Sequence, residues 1–151
     1  QSQQRAVRLS PERITVMVQK EAAERMLSQP GDKNWCATAA TVRYFAEPSM
    51  VMEAPASLFT PPPHVDSALL RLEMRETRAV PAEREEAFLN LIQVAFRMRR
   101  KTLANNLTAG LSLSRTDALR ALEAAGLDER VRGETLTLAD FERLAEALHE
   151  K

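Results

Sequence analysis

The chain contains, at residues 58–69, the stretch Leu58-Phe59-Thr60-Pro61-Pro62-Pro63-His64-Val65-Asp66-Ser67-Ala68-Leu69. Because proline holds φ at about −65° and also restricts the residue before it, this stretch predicts a stiff, extended connection after Phe59. Short apolar runs flank it at residues 50–52 and 68–72, and another lies at residues 14–18. Their lengths, and the β-branched residues of the run at 14–18, predict buried strands.

Two helical segments, residues 20–27 and 37–45, are expected between the first two strands. Residues 1–77 therefore follow the order strand, helix, helix, strand, loop, strand. This order is typical of part of an α/β sheet rather than of a self-contained domain.

After Pro81 the apolar residues recur with the 3.6-residue period of a helix. The first apolar stripe consists of Phe88, Leu91, Ile92, Ala95 and Phe96. A second helix is expected over about residues 100–107, with its end near Gly110.

Two further helices have recognisable start signals. Ser114 with Asp117, and Thr137 with Asp140, have the spacing of capping boxes, and Gly126 is expected to end the first of these helices. The last helix is predicted to bury Leu138, Phe141, Leu144, Ala145 and Leu148. Four short helices predict a small all-α domain over residues 78–151, after the α/β part over residues 1–77.

The composition excludes several classes of protein. The chain has 151 residues, 28% of them charged and 44% hydrophobic, which is typical of a globular protein. No apolar run approaches the roughly 18 residues of a membrane span, and the first residues lack the apolar core of a secretory signal. Cys36 is the single cysteine, and His64 and His149 are the two histidines, so we expect neither a disulfide nor a metal site.

Positive charge is concentrated in one segment of a chain whose 21 basic and 21 acidic residues balance. No acidic residue occurs between Glu86 and Asp117, whereas that interval contains Arg97, Arg99, Arg100, Lys101 and Arg115. Guanidinium groups bind phosphate oxygens, and the nearby Asn105 and Asn106 offer hydrogen bonds, so a polyanion contact is one interpretation. The alternatives are a solvated helix face, or ion pairs with acids of the last helix such as Glu142 or Glu146.

Phe59 is the aromatic candidate for ligand binding. A ring held on a stiff proline loop meets a flat ligand at low entropic cost, and stacking on a nucleobase contributes about 1–3 kcal/mol. The ordinary alternative is a phenylalanine that fills the core. The prolines at 61–63 alone would also suit an SH3 or WW ligand, but their place between two strands favours a stiff connection.

Three segments occur in one order and at fitting distances, at residues 17–25, 59–68 and 99–107. They read MVQKEAAER, FTPPPHVDSA and RRKTLANNL. On these motifs the chain resembles, over nearly its whole length, the KsgA-type small-subunit ribosomal RNA adenine dimethyltransferases. Asp66 favours this family over the related large-subunit rRNA methyltransferases of antibiotic resistance, which usually have asparagine at that place.

The resemblance implies the C-terminal part of a class I, Rossmann-like methyltransferase sheet, followed by a helical rRNA-binding domain. It also implies S-adenosylmethionine-dependent dimethylation of N6 of two adjacent adenosines near the 3′ end of small-subunit rRNA, with the target base taken out of its stack. The expected partner is this rRNA or the immature small subunit in the cytoplasm, without a membrane. The complete protein is expected to be a monomer.

The same resemblance implies roles for particular residues. Phe59 would stack on the target adenine, and a basic helix would hold the rRNA backbone. The residues of that RNA-binding segment are Arg97, Arg99, Arg100, Lys101 and Asn105. The rim of the active site would consist of Gln19, Lys20, Glu21, Pro61 and Pro63, of which the first three follow a strand, where open α/β sheets bind ligands.

Two family motifs have no counterpart in the sequence. The first glycine is Gly31 and no Gly-x-Gly occurs, so the Gly-rich turn of the cofactor site is missing. No asparagine precedes a Leu/Ile-Pro pair, so the catalytic Asn-Leu/Ile-Pro-Tyr/Phe motif is missing too, and Trp35-Cys36 replaces the usual Tyr-Gly. We therefore expect this chain alone neither to bind S-adenosylmethionine nor to methylate, and its truncated sheet to expose a strand edge at residues 14–18.

Two other functions remain possible on the sequence. The chain would act as a non-catalytic RNA-binding or ribosome-assembly module if only its basic helix were used. A weaker alternative treats the last two helices as a helix-turn-helix reader of DNA. Residues 121–150 contain three basic and eight acidic residues, and this net negative charge disfavours an approach to DNA phosphates.

Overall fold

The computed structural model describes residues 12–149. Its strands are β1 (Arg13–Gln19), β2 (Ala46–Ala54) and β3 (Ser67–Met74). Its helices are α1 (Lys20–Leu27), α2 (Ala37–Phe45), α3 (Glu85–Ala95), α4 (Leu103–Leu111), α5 (Arg115–Ala124) and α6 (Leu138–His149). Short 3₁₀ turns occupy Ala56–Leu58, Ala82–Arg84 and Gly133–Thr135.

The three strands form one antiparallel sheet in the order β1-β3-β2. Leu70 of β3 lies opposite Val16 of β1 and Met50 of β2, and an irregularity in the register follows between Met50 and Met52. All three predicted strands are therefore confirmed. Within residues 12–149, β1 and β2 each have one edge without a strand partner, as expected for residues 14–18.

One face of the sheet is covered by α1. Ala23 of α1 packs with the fully buried Ala68 and Leu70 of β3 in a small hydrophobic cluster. The opposite face is open among the described residues, where Met17 is 55% and Met52 is 49% exposed. The prediction of buried strands is thus wrong for residues 14–18 and 50–52, because β1 and β2 are edge strands with one uncovered face.

A larger core joins α2 with the four helices α3 to α6. Trp35, immediately before α2, is 1% exposed, and its indole Nε1 donates to the Leu136 carbonyl at 3.1 Å. Residues from both predicted units thus share this core, and the division at residue 77 stays a prediction.

The buried Tyr44 of α2 joins this core to the beginning of α3. Its hydroxyl donates to Glu85 Oε1 at 3.1 Å, and the Arg78 guanidinium lies 2.6 Å from the same oxygen. Burial is the main cause that raises the pKa of Tyr44 to about 12, and the hydrogen bond to Glu85 is the second cause. The bond from Arg78 lowers the pKa of Glu85. The phenol therefore stays protonated, and the carboxylate charged, where α2 meets α3.

Helix starts agree with the sequence signals except at α4. Ser114 Oγ accepts from the Asp117 amide, while Thr137 and Asp140 each accept from the other's backbone amide, as predicted for capping boxes. The second helical segment was expected from residue 100, but α4 begins at Leu103. Thr102 accepts from the Asn105 amide and caps the helix there, so the cations at 97–101 precede it.

Among the described residues, no group of three or more His, Cys, Asp or Glu side chains is placed to hold a metal ion. No helix of residues 12–149 has the length and apolar character needed to cross a membrane.

Candidate functional site

The expected active-site rim lies where β1 ends beside the start of β3. The Lys20 amide donates to the Asp66 carbonyl at 2.9 Å, and Asp66 Oδ1 accepts from the Ala56 amide at 2.9 Å. Residues 59–66, which contain the three consecutive prolines, are called the proline loop. Asp66 therefore ties the beginning of α1 to the turn that leads into this loop. The Lys20 ammonium lies 3.7 Å from Glu53 on β2, so a charged side chain spans the end of the sheet.

A cavity of about 400 Å³ lies at this rim. Its lining is charged and polar and consists of Lys20, Glu21, Glu24, His64, Val65 and Asp66. Gln19 pairs with Ser67 across the strands, directly beside this cavity. The structure thus brings the three rim residues from β1 and α1 together with the end of the proline loop.

Phe59 lies at the beginning of the proline loop in extended conformation, with φ −110° and ψ 152°. Its amide donates to the Ala56 carbonyl at 3.2 Å and ends the 3₁₀ turn. The side chain is partly exposed and belongs to neither hydrophobic cluster of the described residues. The Thr60–Pro61 peptide is cis, and Pro61 and Pro63 are exposed. A role for Phe59 as a core filler therefore has no support from the packing.

The basic residues lie in a loop and not on a helix. We call residues 96–102, between α3 and α4, the basic loop. Arg97, Arg99, Arg100 and Lys101 are all exposed there. The Arg97 amide donates to the Val94 carbonyl, and the Lys101 amide to the Met98 carbonyl, so the loop consists of successive turns. The predicted basic helix is wrong because α3 ends at Ala95 and α4 is capped only at Thr102.

The four cations of the basic loop are not equivalent. The Arg99 guanidinium donates to the Lys33 carbonyl and lies 4.0 Å from the Glu134 carboxylate. Within residues 12–149, the side chains of Arg97, Arg100 and Lys101 have neither an ion pair nor a hydrogen bond. These three cations are therefore available to an external anion, whereas Arg99 joins loops of this chain.

The acids proposed as internal partners lie elsewhere. In the described part of the chain, Glu142 and Glu146 form no ion pair with the basic loop. They line a separate cavity of about 500 Å³ between α3 and α6. Glu134, which the sequence did not single out, is the acid that reaches Arg99.

The two asparagines of α4 have different surroundings. Asn105 Oδ1 accepts from Arg115 at 3.1 Å on the surface, so this asparagine holds a further cation next to the basic loop. Asn106 is 3% exposed and donates from Nδ2 to the Ala95 and Met98 carbonyls, both at 3.1 Å. Asn106 thus points inward, and its expected hydrogen bond to RNA is wrong.

Sequence reasoning missed Arg25 as part of the basic surface. Arg25 and Arg97 line one cavity of about 360 Å³ beside the beginning of α2, together with Thr38 and Gln93. Arg25 also lies 3.4 Å from Glu21, its neighbour one turn earlier in α1. Only the packing of α1 near the end of α3 connects Arg25 with the basic loop, and no local pattern indicates it.

The geometry agrees with a comparison against protein families. The profile named "Ribosomal RNA adenine dimethylase" matches residues 4–150. The chain belongs to this family. It is 41% identical over 139 residues to "Ribosomal RNA small subunit methyltransferase A" of Alkaliphilus oremlandii, covering 91% of this chain and 48% of the relative. The protein of the same name from Geobacillus thermodenitrificans is 42% identical over 138 residues, with 89% and 47% covered.

Solved structures show the same fold. A dimethyladenosine transferase from Plasmodium falciparum is similar with a TM-score of 0.82 and 27% identity, covering 95% of this chain and 59% of that one. The 23S rRNA methyltransferase ErmE superposes with a TM-score of 0.62 at 24% identity, covering 91% and 55%. The chain spans about half the length of the curated relatives it matches. The expected fold class, the C-terminal part of a methyltransferase, is confirmed.

The different surroundings of Arg99 and Arg100 predict different effects on stability. Arg99→Gln removes a bond to a backbone carbonyl and the contact with Glu134, and we expect it to lower the free energy of unfolding by about 1 kcal/mol. Arg100→Gln, at an exposed side chain without a partner, should change it by less than about 0.5 kcal/mol. Urea denaturation of both variants measures the difference, and equal values would contradict the assignment of Arg99 as an internal link.

Proposed function

We propose that this chain is the substrate-binding portion of a ribosomal RNA adenine N6-dimethyltransferase. The reaction is S-adenosylmethionine-dependent dimethylation of two adjacent adenosines near the 3′ end of small-subunit rRNA, in the cytoplasm. The observation that carries the proposal is the basic loop, which presents three exposed cations without partners among residues 12–149, in a member of the rRNA adenine dimethylase family. The complete enzyme acts as a monomer on the immature small subunit.

The physical argument for RNA starts from the cost of keeping cations together. Arg97, Arg100 and Lys101 repel one another, and no acid among the described residues neutralises them. RNA phosphates remove this repulsion, and the release of their counterions favours binding. Arginine also binds phosphate oxygens through two parallel hydrogen bonds. Arg115, held by Asn105, extends the surface along α5.

The role proposed for Phe59 depends on its place on the proline loop. Asp66 anchors the turn before Phe59, and the Phe59 ring is partly exposed. Phe59 does not line the rim cavity, but His64, Val65 and Asp66 of the same loop do. An adenine taken out of its stack loses the contact with the flanking bases and needs an apolar surface in their place. Phe59 offers that surface, while Gln19, Pro61 and Pro63 border it.

The described residues do not fit S-adenosylmethionine. The sequence has neither a Gly-rich turn after a strand nor the Asn-Leu/Ile-Pro-Tyr/Phe motif. The rim cavity is lined mainly by charged side chains, with His64 and Val65, and contains no Phe, Tyr or Trp against which an adenine could pack. We therefore propose that these residues alone neither bind the cofactor nor methylate.

A non-catalytic function in ribosome assembly is the second candidate. It is favoured by the same missing motifs, since the basic loop needs no cofactor in order to bind RNA. The two candidates differ in what they require from Phe59. The helix-turn-helix alternative has no further support, because α6 carries the acids Glu142 and Glu146 beside an apolar cavity.

The cofactor proposal predicts the result of a calorimetric titration. S-adenosylmethionine titrated into the folded 151-residue chain should release no binding heat. Sinefungin, an analogue with the same adenosine group, serves as a second titrant. Micromolar binding of either compound would mean that a cofactor site exists in this chain, and the proposal would fail.

The RNA proposal predicts how affinity depends on salt. Replacing Arg97, Arg100 and Lys101 together by glutamine should make the negative slope of log affinity against log salt shallower by about 2–3. Each phosphate contact contributes about 0.7–0.9 to the magnitude of that slope. Fluorescence anisotropy with a labelled RNA hairpin, whose loop carries two adjacent adenosines, measures the slope. The control replaces Arg71 and Arg120, two exposed arginines outside the loop, by glutamine. Equal slopes in both variants would place RNA binding elsewhere.

Phe59→Ala separates the enzyme from the assembly module. In this chain the change should alter RNA affinity by less than about threefold, because the stacking of a base on Phe59 is offset by the cost of taking that base out of its own stack. In a full-length relative, the corresponding change should lower methyl transfer to immature small subunits by about a hundredfold or more, since a misplaced base loses its reactive geometry. Unchanged methyl transfer would exclude the stacking role.

A further inference from the structure

Asn106 is a buried amide directly beneath the basic loop. Its Nδ2 group donates to the Ala95 carbonyl, at the end of α3, and to the Met98 carbonyl inside the loop, each at 3.1 Å. We propose that Asn106 is a positioning residue for RNA recognition, which sets the path of the basic loop and thereby the places of Arg97, Arg100 and Lys101. This inference rests on the proposed function of the loop as the RNA-binding segment.

The Met98 carbonyl is the point through which Asn106 acts on the cations. The same carbonyl accepts from the Lys101 amide at 3.0 Å and closes a four-residue turn. Arg99 and Arg100 are the two central residues of that turn, so its orientation decides where their side chains leave the surface. An amide that holds the first carbonyl of the turn therefore holds the turn as a whole.

The Ala95 carbonyl needs a donor because the last carbonyls of a helix have no partner within it. Gly133 packs against this oxygen so closely that a Cβ atom at position 133 would lie 2.5 Å from it. Little space is left on that side, and Asn106 supplies the hydrogen bond from the other. One buried side chain thus donates both to a buried carbonyl, that of Ala95, and to the partly buried carbonyl of Met98.

The two ends of the loop have anchors that do not involve Asn106. The Leu103 amide donates to the Val131 carbonyl at 2.7 Å, and Thr102 caps α4. At the other end, the Arg97 amide donates to the Val94 carbonyl at 3.2 Å. Loss of the Asn106 amide should therefore loosen the turn at 98–101, whose remaining link to other loops is the Arg99 side chain, while α3 and α4 stay in place. The loop would still carry its charges but would present them in many arrangements, and binding would then have to order them.

The test compares Asn106→Leu, which keeps a similar volume but donates nothing, with Asn106→Ser, whose hydroxyl retains one donor. Thr108→Val is the matched control, because it removes one side-chain bond to the Asn105 carbonyl from the same helix without touching the loop. Anisotropy with the labelled RNA hairpin gives affinity and salt slope, and circular dichroism gives the folded fraction.

We expect Asn106→Leu to bind RNA about tenfold more weakly per folded molecule, with a salt slope lowered by about 1, since roughly one phosphate contact is lost. Asn106→Ser should have an RNA affinity and a salt slope between those of Asn106→Leu and those of the unchanged chain. Thr108→Val should keep the slope even where it lowers the melting temperature. If Asn106→Leu does not fold, the comparison of Asn106→Ser with Thr108→Val decides. Unchanged affinity and slope in the folded Asn106 variants would overturn the inference.

Hydrogen exchange without RNA separates this inference from the proposed function. The Lys101 amide, bonded to the Met98 carbonyl, should exchange faster in the Asn106 variants and at the ordinary rate in Thr108→Val. If the triple glutamine variant of the loop binds RNA normally, the proposed function of the loop fails, whatever the exchange rates are. If that variant loses RNA binding while the Asn106 variants retain both exchange protection and affinity, only the positioning role of Asn106 fails.

Discussion

The indole of Trp35 connects the two parts of this protein, and the placement of the functional surfaces depends on it. Its Nε1 group donates to the Leu136 carbonyl across 101 residues of sequence, and its ring meets Phe96 edge-on at 6.4 Å. Around it, the Gly31 amide bonds to the Glu134 carbonyl, and Arg99 bonds to the Lys33 carbonyl. The loops before α2, after α3 and before α6 thus meet at one buried ring, which fixes the basic loop relative to the sheet.

Charge is separated on this scaffold in a way that suits RNA. The basic loop projects three cations that have no partner in the described part of the chain, while Glu142 and Glu146 of α6 line a cavity between α3 and α6. The acid that approaches the loop, Glu134, contacts Arg99, which serves as an internal link. Exposed cations keep their attraction for phosphates because no acid among the described residues screens them at short range.

Local signals predicted those parts of the fold that depend on neighbouring residues. The three strands, the ends of α1 and α2, and the capping residues Ser114 and Thr137 follow from patterns a few residues long, and the structure confirms them. The predicted beginning of α4 was wrong, because a cap at Thr102 and a bond from the Leu103 amide to the Val131 carbonyl compete with helix formation at residue 100. The second of these bonds joins residues distant in sequence, so no local pattern contains it.

The sequence by itself determined the family, the stiff loop that carries Phe59 and the concentration of cations at 97–101, since these are properties of residue type and spacing. Only the tertiary structure decided which cations are free, that Arg25 approaches the basic loop and that Asn106 points inward. The place of Arg25 depends on how α1 packs near the end of α3, whereas the roles of Arg99 and Asn106 depend on which carbonyls the packed helices leave for them. That is a property of the assembled core, because a buried carbonyl selects its donor by distance in space and not by position along the chain.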